Sequence, residues 1–75
     1  MTTDDIRVRI EAALPGAHVV VLDEADDGAH FVAEVTWSGF AGMNRIAQHR
    51  AVYAALPGLV GHEIHALALT TRVAG

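Results

Sequence analysis

The 75-residue chain has no cysteine and no lysine, and its aromatics are one Trp, one Tyr and two Phe. Without cysteine there is no disulfide scaffold, no thiol nucleophile and no metal site built from the chain's own thiolates. Without lysine, and with a net charge of −4, tight sequence-independent binding to nucleic acid is disfavoured, because such binding rests on cations that neutralise phosphates. No apolar run approaches the roughly 20 residues of a membrane span. Residues 1–5 carry no basic segment of the kind that opens a secretory signal. The expectation is a soluble, cytoplasmic protein with a single domain over residues 1–75.

What is present is apolar and rich in imidazole. Hydrophobic residues make up 52% of the chain, enough to form a thin core in a domain this small. Five histidines stand among them. Histidine is the commonest metal ligand and the side chain whose charge changes near neutral pH.

Hydrophobic spacing divides the chain into five elements. Ile6, Ile10, Ala13 and Leu14 recur on one helical face, with Thr3 as the expected cap, Asp4 and Asp5 in the first turn, and Pro15-Gly16 as the stop. Residues 17–23, centred on Val19-Val20-Val21, read as a strand, and residues 24–28 as an acidic loop. Residues 30–37 alternate, with Phe31, Ala33, Val35 and Trp37 on the buried side. A two-glycine turn follows. From Met43 the period is helical, with Met43, Ile46, Ala47, Tyr53 and Ala54 on one stripe and Arg50 snorkelling from within it. Leu56-Pro57-Gly58 stops that helix, and residues 63–70 read as a third strand. The expected core includes Ile10, Leu14, Val35, Trp37, Ile46, Tyr53, Ile64 and Ala66.

The order αββαβ predicts an α+β fold. A short loop joins the first two strands, so they pair antiparallel. A helix joins the second to the third, so those run parallel through a right-handed crossover. The result is a three-stranded mixed sheet with both helices on one face. Parallel neighbours start at the same end of a sheet. His30 at the start of the second strand, His65 and His62 near the third, and the acidic loop should therefore converge.

Four separated motifs resemble the BolA-like protein family: His30-Phe31, Phe40-Ala41-Gly42, Gln48-His49-Arg50-x-Val52-Tyr53 and Ile64-His65-Ala66-Leu67. Gly42-Met43-x-Arg45 is most similar to the short bacterial subgroup. The resemblance runs from about Ile6 to Thr70 and implies a fold related to class II KH domains. It also implies a monothiol glutaredoxin as partner, with a [2Fe-2S] cluster shared between the two proteins. Glutaredoxin and glutathione would supply thiolates, and this chain would supply His65 and a second ligand. The family often places that second ligand, a Cys or His, in the loop before the second strand. Here the loop is Asp23-Glu24-Ala25-Asp26-Asp27-Gly28, which leaves His30 as the nearest candidate and Asp27 as a weaker one. The chain stops at Gly75, short of the Pro-x-x-Trp-like tail that many relatives carry.

Two functional classes follow. The first is a non-enzymatic iron–sulfur adaptor, monomeric or weakly dimeric alone, holding no cluster without its partner. The second is a KH-like nucleic-acid-binding regulator in stress response, using Arg45, His49 and Arg50. The run Gly39-Phe40-Ala41-Gly42 matches the G-x-x-G loop of KH domains, although in the resembling family only its second glycine belongs to the motif. The acidic, lysine-free composition favours the adaptor. No Ser-His-Asp or Cys-His arrangement stands out, and a domain this small does not enclose the usual pocket of about 300 Å³ or more, so catalysis is not expected.

Overall fold

The computed structural model describes residues 1–75. Helix α1 (Thr3–Ala13) starts from Thr2, not Thr3. The Asp5 amide donates to Thr2 Oγ1 at 3.1 Å and the Thr2 amide donates to Asp5 Oδ2 at 2.9 Å. This reciprocal cap needs an acidic or amide residue three positions after the cap. Thr2 finds Asp5 there, whereas Thr3 would find Ile6, which the core needs. Ile6, Ile10 and Leu14 are buried and Ala13 is not. Beyond the helix, the Trp37 indole donates to the Pro15 carbonyl at 2.8 Å.

Strands β1 (His18–Leu22), β2 (His30–Trp37) and β3 (Ala66–Val73) lie in that spatial order. β1 pairs antiparallel with β2, and β2 pairs parallel with β3 from His30↔Ala66 to Trp37↔Val73. These are the expected α+β topology and pairings. Phe31, Ala33 and Val35 of β2 are buried with Val19 of β1. Phe31, Val35 and Val19 meet Ile6 and Ile10 of α1 and Val52 of helix α2 (Arg45–Ala54) in one core cluster. The opposite sheet face is open, crossed only by a 3.7 Å Arg72–Glu34 pair.

The expected core needs correction at Ile46, Tyr53, Ala66 and Trp37. Ile46 and Tyr53 lie on the outer side of α2, with Ile46 64% exposed. The inward side carries Val52, flanked by half-buried Gln48 and Ala51, and buried Leu56 follows just past the helix end. Gln48 disguises this row. Its amide donates to the Met43 carbonyl and its oxygen accepts from Thr71 Oγ1 at 2.6 Å, pinning the helix to β3. Arg50 stands outside the core, exposed with the outer stripe and not snorkelling through the core face. Ala66 is also exposed. β3 begins there and not at residue 63, because the preceding residues form a closed turn. In that turn the Ile64 amide donates to the Leu59 carbonyl at 2.9 Å and the Gly61 amide to the Ile64 carbonyl at 2.7 Å. Ile64 is buried from this turn, and inward alternation resumes at Leu67, so the parity changes across His65.

Trp37 is half-buried rather than fully buried, with its ring edge-on to Phe40 at 5.2 Å. It explains Gly39: a Cβ at Gly39 would sit 2.4 Å from the indole. Steric need, not a phosphate clamp, accounts for the first glycine of the G-x-x-G match.

Candidate metal centre

The parallel register places the starts of β2 and β3 side by side, and the chain ties them together there. The carbonyl of Ala29 accepts from the His65 amide at 2.8 Å and from the Ala66 amide at 3.2 Å. His65 is thereby held against the residue before His30. The two imidazole rings pack with centroids 4.9 Å apart and planes inclined by 57°. Both side chains are exposed at the end of the sheet. Two nitrogen-donor side chains from residues 35 positions apart in sequence thus meet on a solvent-facing surface.

The acidic loop does not gather a pool of further ligands around the two imidazoles, and two of its four carboxylates, Asp23 and Asp27, are spent on its own backbone. Asp23 accepts from the amides of Asp27 at 3.3 Å and Gly28 at 2.9 Å. Asp27 Oδ1 accepts from the amides of Ala29 at 2.9 Å and His30 at 3.0 Å, while Oδ2 lies 2.7 Å from His30 Nδ1. These donors, with the His30 amide foremost, hold the Asp27 carboxyl down at about 2. Both Asp27 oxygens are thus engaged, one by the loop's amides and the other by the His30 ring. His62 lies exposed in the turn after Leu59, its amide bonded to the Leu59 carbonyl. The expected gathering of four or five ligands reduces to two imidazoles with a carboxylate behind one of them. No group of three or more His, Asp or Glu side chains is placed to hold a metal ion by itself.

The donor set fits half of an iron–sulfur site. Such clusters take four protein ligands, usually thiolates, and two imidazoles can replace two thiolates on one iron. His30 and His65 are close enough in the fold to serve together, and their exposure leaves room for ligands from another molecule. The chain's own residues cannot complete the set.

The cationic residues of the other reading divide. Arg45 and His49 of α2 line one shallow groove of about 290 Å³ with Leu69, Thr70 and Thr71 of β3. Arg50 is exposed and does not line it. Neither arginine takes part in an ion pair. No helix is long and apolar enough to cross a membrane.

Sequence reasoning missed Asp27 as the partner of His30 and the Ala29 carbonyl as the tie to His65. The first had a signal. An Asp three residues before a strand-initiating His, with Gly between, is the spacing at which a carboxylate caps following amides.

Comparison with known proteins agrees with this fold and extends it. The chain is 33% identical over 55 residues to "Protein BOLA1, chloroplastic" of Arabidopsis thaliana, a match covering 73% of this chain and 34% of that protein. The matched segment thus spans about a third of that curated relative. Among solved structures, a bolA protein homologue from Coxiella burnetii superposes with a TM-score of 0.81 at 38% identity, covering 97% of this chain and 91% of that one. Yeast Fra2 superposes at 0.78 with 31% identity, covering 97% and 80%. The family model described as BolA-like protein matches residues 5–74. With nearly the whole chain matched and the αββαβ topology in place, the chain belongs to the BolA-like protein family.

Proposed function

We propose that this protein is a non-enzymatic adaptor that binds a monothiol glutaredoxin and shares a [2Fe-2S] cluster with it, in cluster trafficking or iron regulation. The observation that carries the reading is the pairing of His30 with His65, 4.9 Å apart at the exposed end of the sheet. Family membership supports it, and the lack of cysteine makes a thiolate-bearing partner necessary. His65 and His30 would hold the cluster from this side. Glutaredoxin and glutathione would supply thiolates from the other. Bound there, the cluster supplies a transferable, redox-active iron centre. The chain's own part is to present two imidazoles at a fixed spacing and to leave the remaining positions open.

Mixing the protein with a monothiol glutaredoxin, glutathione, ferric iron and sulfide tests this. A heterodimer should form whose visible absorption and circular dichroism differ from those of the all-thiolate glutaredoxin homodimer, because imidazole ligation alters the cluster's electronic environment. Its cluster should be lost progressively on acidification, since protons compete with metal for imidazole. A mixture that shows only the glutaredoxin homodimer spectrum would refute the adaptor role.

The second reading, a nucleic-acid-binding regulator, draws on the Arg45 and His49 groove. Two side chains in an open groove on an acidic protein support only weak, salt-sensitive contact with phosphates.

A further inference from the structure

The reading of His30 and His65 as a half-site leaves open why His30, which begins a strand and not a loop, should serve as a ligand. The two nitrogens of a neutral imidazole are not equivalent. One carries the proton and the other the lone pair, and the hydrogen bond made by the first decides which nitrogen is free for a metal. Histidines that ligate metals commonly donate their other ring N–H to a carboxylate, which fixes both tautomer and orientation.

His30 has such a partner. Its Nδ1 lies 2.7 Å from Asp27 Oδ2. An ionised carboxylate only accepts hydrogen bonds, so Nδ1 is the protonated nitrogen in this contact. Asp27 is itself immobilised, because its other oxygen takes the amides of Ala29 and His30. The same short segment ties down the second histidine's backbone, since the Ala29 carbonyl accepts the His65 amide, and the His65 ring packs against that of His30. One carboxylate and one carbonyl, two residues apart, therefore hold the His30 ring and the His65 backbone.

We infer that Asp27 is a positioning residue for the metal-binding pair: its carboxylate fixes His30 in the Nδ1–H tautomer and so makes Nε2 of His30 the second nitrogen donor beside His65. The inference rests on the half-site reading and adds the device that completes it. It also accounts for a loop that carries neither Cys nor His: the loop acts through its aspartate on the first residue of the strand.

Long-range ¹H–¹⁵N correlation spectra of the labelled apo chain at a pH of about 8, where ordinary imidazoles are neutral, read the tautomer directly. His30 should show a protonated Nδ1 and a free Nε2, unlike solvated His62, in which the Nε2–H form common to free imidazole should dominate. Asp27→Asn keeps an oxygen for the two backbone amides but turns an NH₂ towards the ring, and His30 should switch to Nε2–H. Asp27→Ser can cap the amides without reaching the ring, and should relax His30 to the free-imidazole mixture. Unchanged amide shifts at Phe31 and Val32 show that β2 is intact in each variant. Titration of the apo proteins with Zn²⁺ alone supplies the second readout. Asp27→Asn should bind about 10–100-fold more weakly than the wild type, and His30→Ala at least as weakly. A wild-type His30 in the Nε2–H form, or wild-type and Asp27→Asn titrations that cannot be told apart, overturns the inference. The shared-cluster reading is tested separately through His65→Ala in the glutaredoxin complex, a substitution that leaves the Asp27–His30 contact in place.

Discussion

Two regions of this small domain carry imidazole with charged neighbours, and they are built differently. At the end of the sheet, the His65 amide is tied to the Ala29 carbonyl, and the Asp27 carboxylate takes both the amide and the ring of His30. In the groove between α2 and β3, Arg45 and His49 line an open surface, and the one firm tie nearby is Gln48 to Thr71. The first region holds its functional groups in place before anything binds. The second holds the helix in place and leaves the cations free. Preorganisation is what a metal half-site needs, since a ligand misplaced by about 1 Å is largely wasted. A phosphate contact tolerates loose side chains but needs many of them. The acidic chain has few. The contrast in construction points to the histidine end as the functional one.

The largest effect expected to break this contrast comes from beneath the histidine end. Ile64 is fully buried and directly precedes His65. Ile64→Ala should cost about 2–5 kcal/mol in denaturant unfolding and loosen the His30–His65 pair. Ile46→Ala, on the outer face of α2, should stay within about 0.5 kcal/mol of the wild type. Equal losses would mean that α2 packs with its other face inward.

The groove is tested by replacing Arg45 and His49 together with Ala. The wild-type chain should bind duplex DNA weakly, with a log–log salt slope no steeper than about −3. The double variant should flatten that slope further while leaving the heterodimer's cluster unchanged. Tight sequence-specific binding at physiological salt would reverse the ranking of the two regions.

A smaller effect concerns acid. The Asp27 carboxyl titrates at about 2 in the folded chain against an ordinary value of 3.8. A depressed carboxylate stabilises the fold above its unfolded value, and that contribution fades as pH falls through the folded value. The loop should therefore keep its structure at pH 4 and lose it progressively towards about 2. Chemical-shift titration of the Asp27 carboxyl carbon, with a midpoint near 4, would show that the brace on His30 is absent.

Much of the fold was legible in the sequence. Alternation defined β2 to the residue, and element order set the strand pairings. What escaped depended on polar residues performing structural tasks. Gln48 sits in the inward row of α2, so the stripe with the bulkier apolar residues was mistaken for the core face. The turn that closes on Ile64 shifts the parity of β3, so Ala66 was assigned inward when Leu67 is. Thr2 caps α1 because Asp5 answers it, a pairing visible in the spacing but assigned one residue late. At the site, the meeting of His30 and His65 followed from parallel pairing alone. The brace from Asp27 leaves no hydrophobic period, and its one trace in the sequence is the capping spacing of Asp27 before Gly28 and His30.

The central claim is that His65 binds the shared cluster. Its most direct test is the visible circular dichroism of the reconstituted heterodimer with wild-type protein, His65→Ala and His30→Ala, each first shown to be folded by its amide spectrum. His65 is exposed and precedes β3, so its replacement should leave the fold intact. The account predicts that His65→Ala abolishes the heterodimer's distinct spectrum and that His30→Ala weakens or abolishes it. A His65→Ala heterodimer with unchanged spectrum and cluster lifetime would contradict the account and leave His65 a surface residue of the turn before β3.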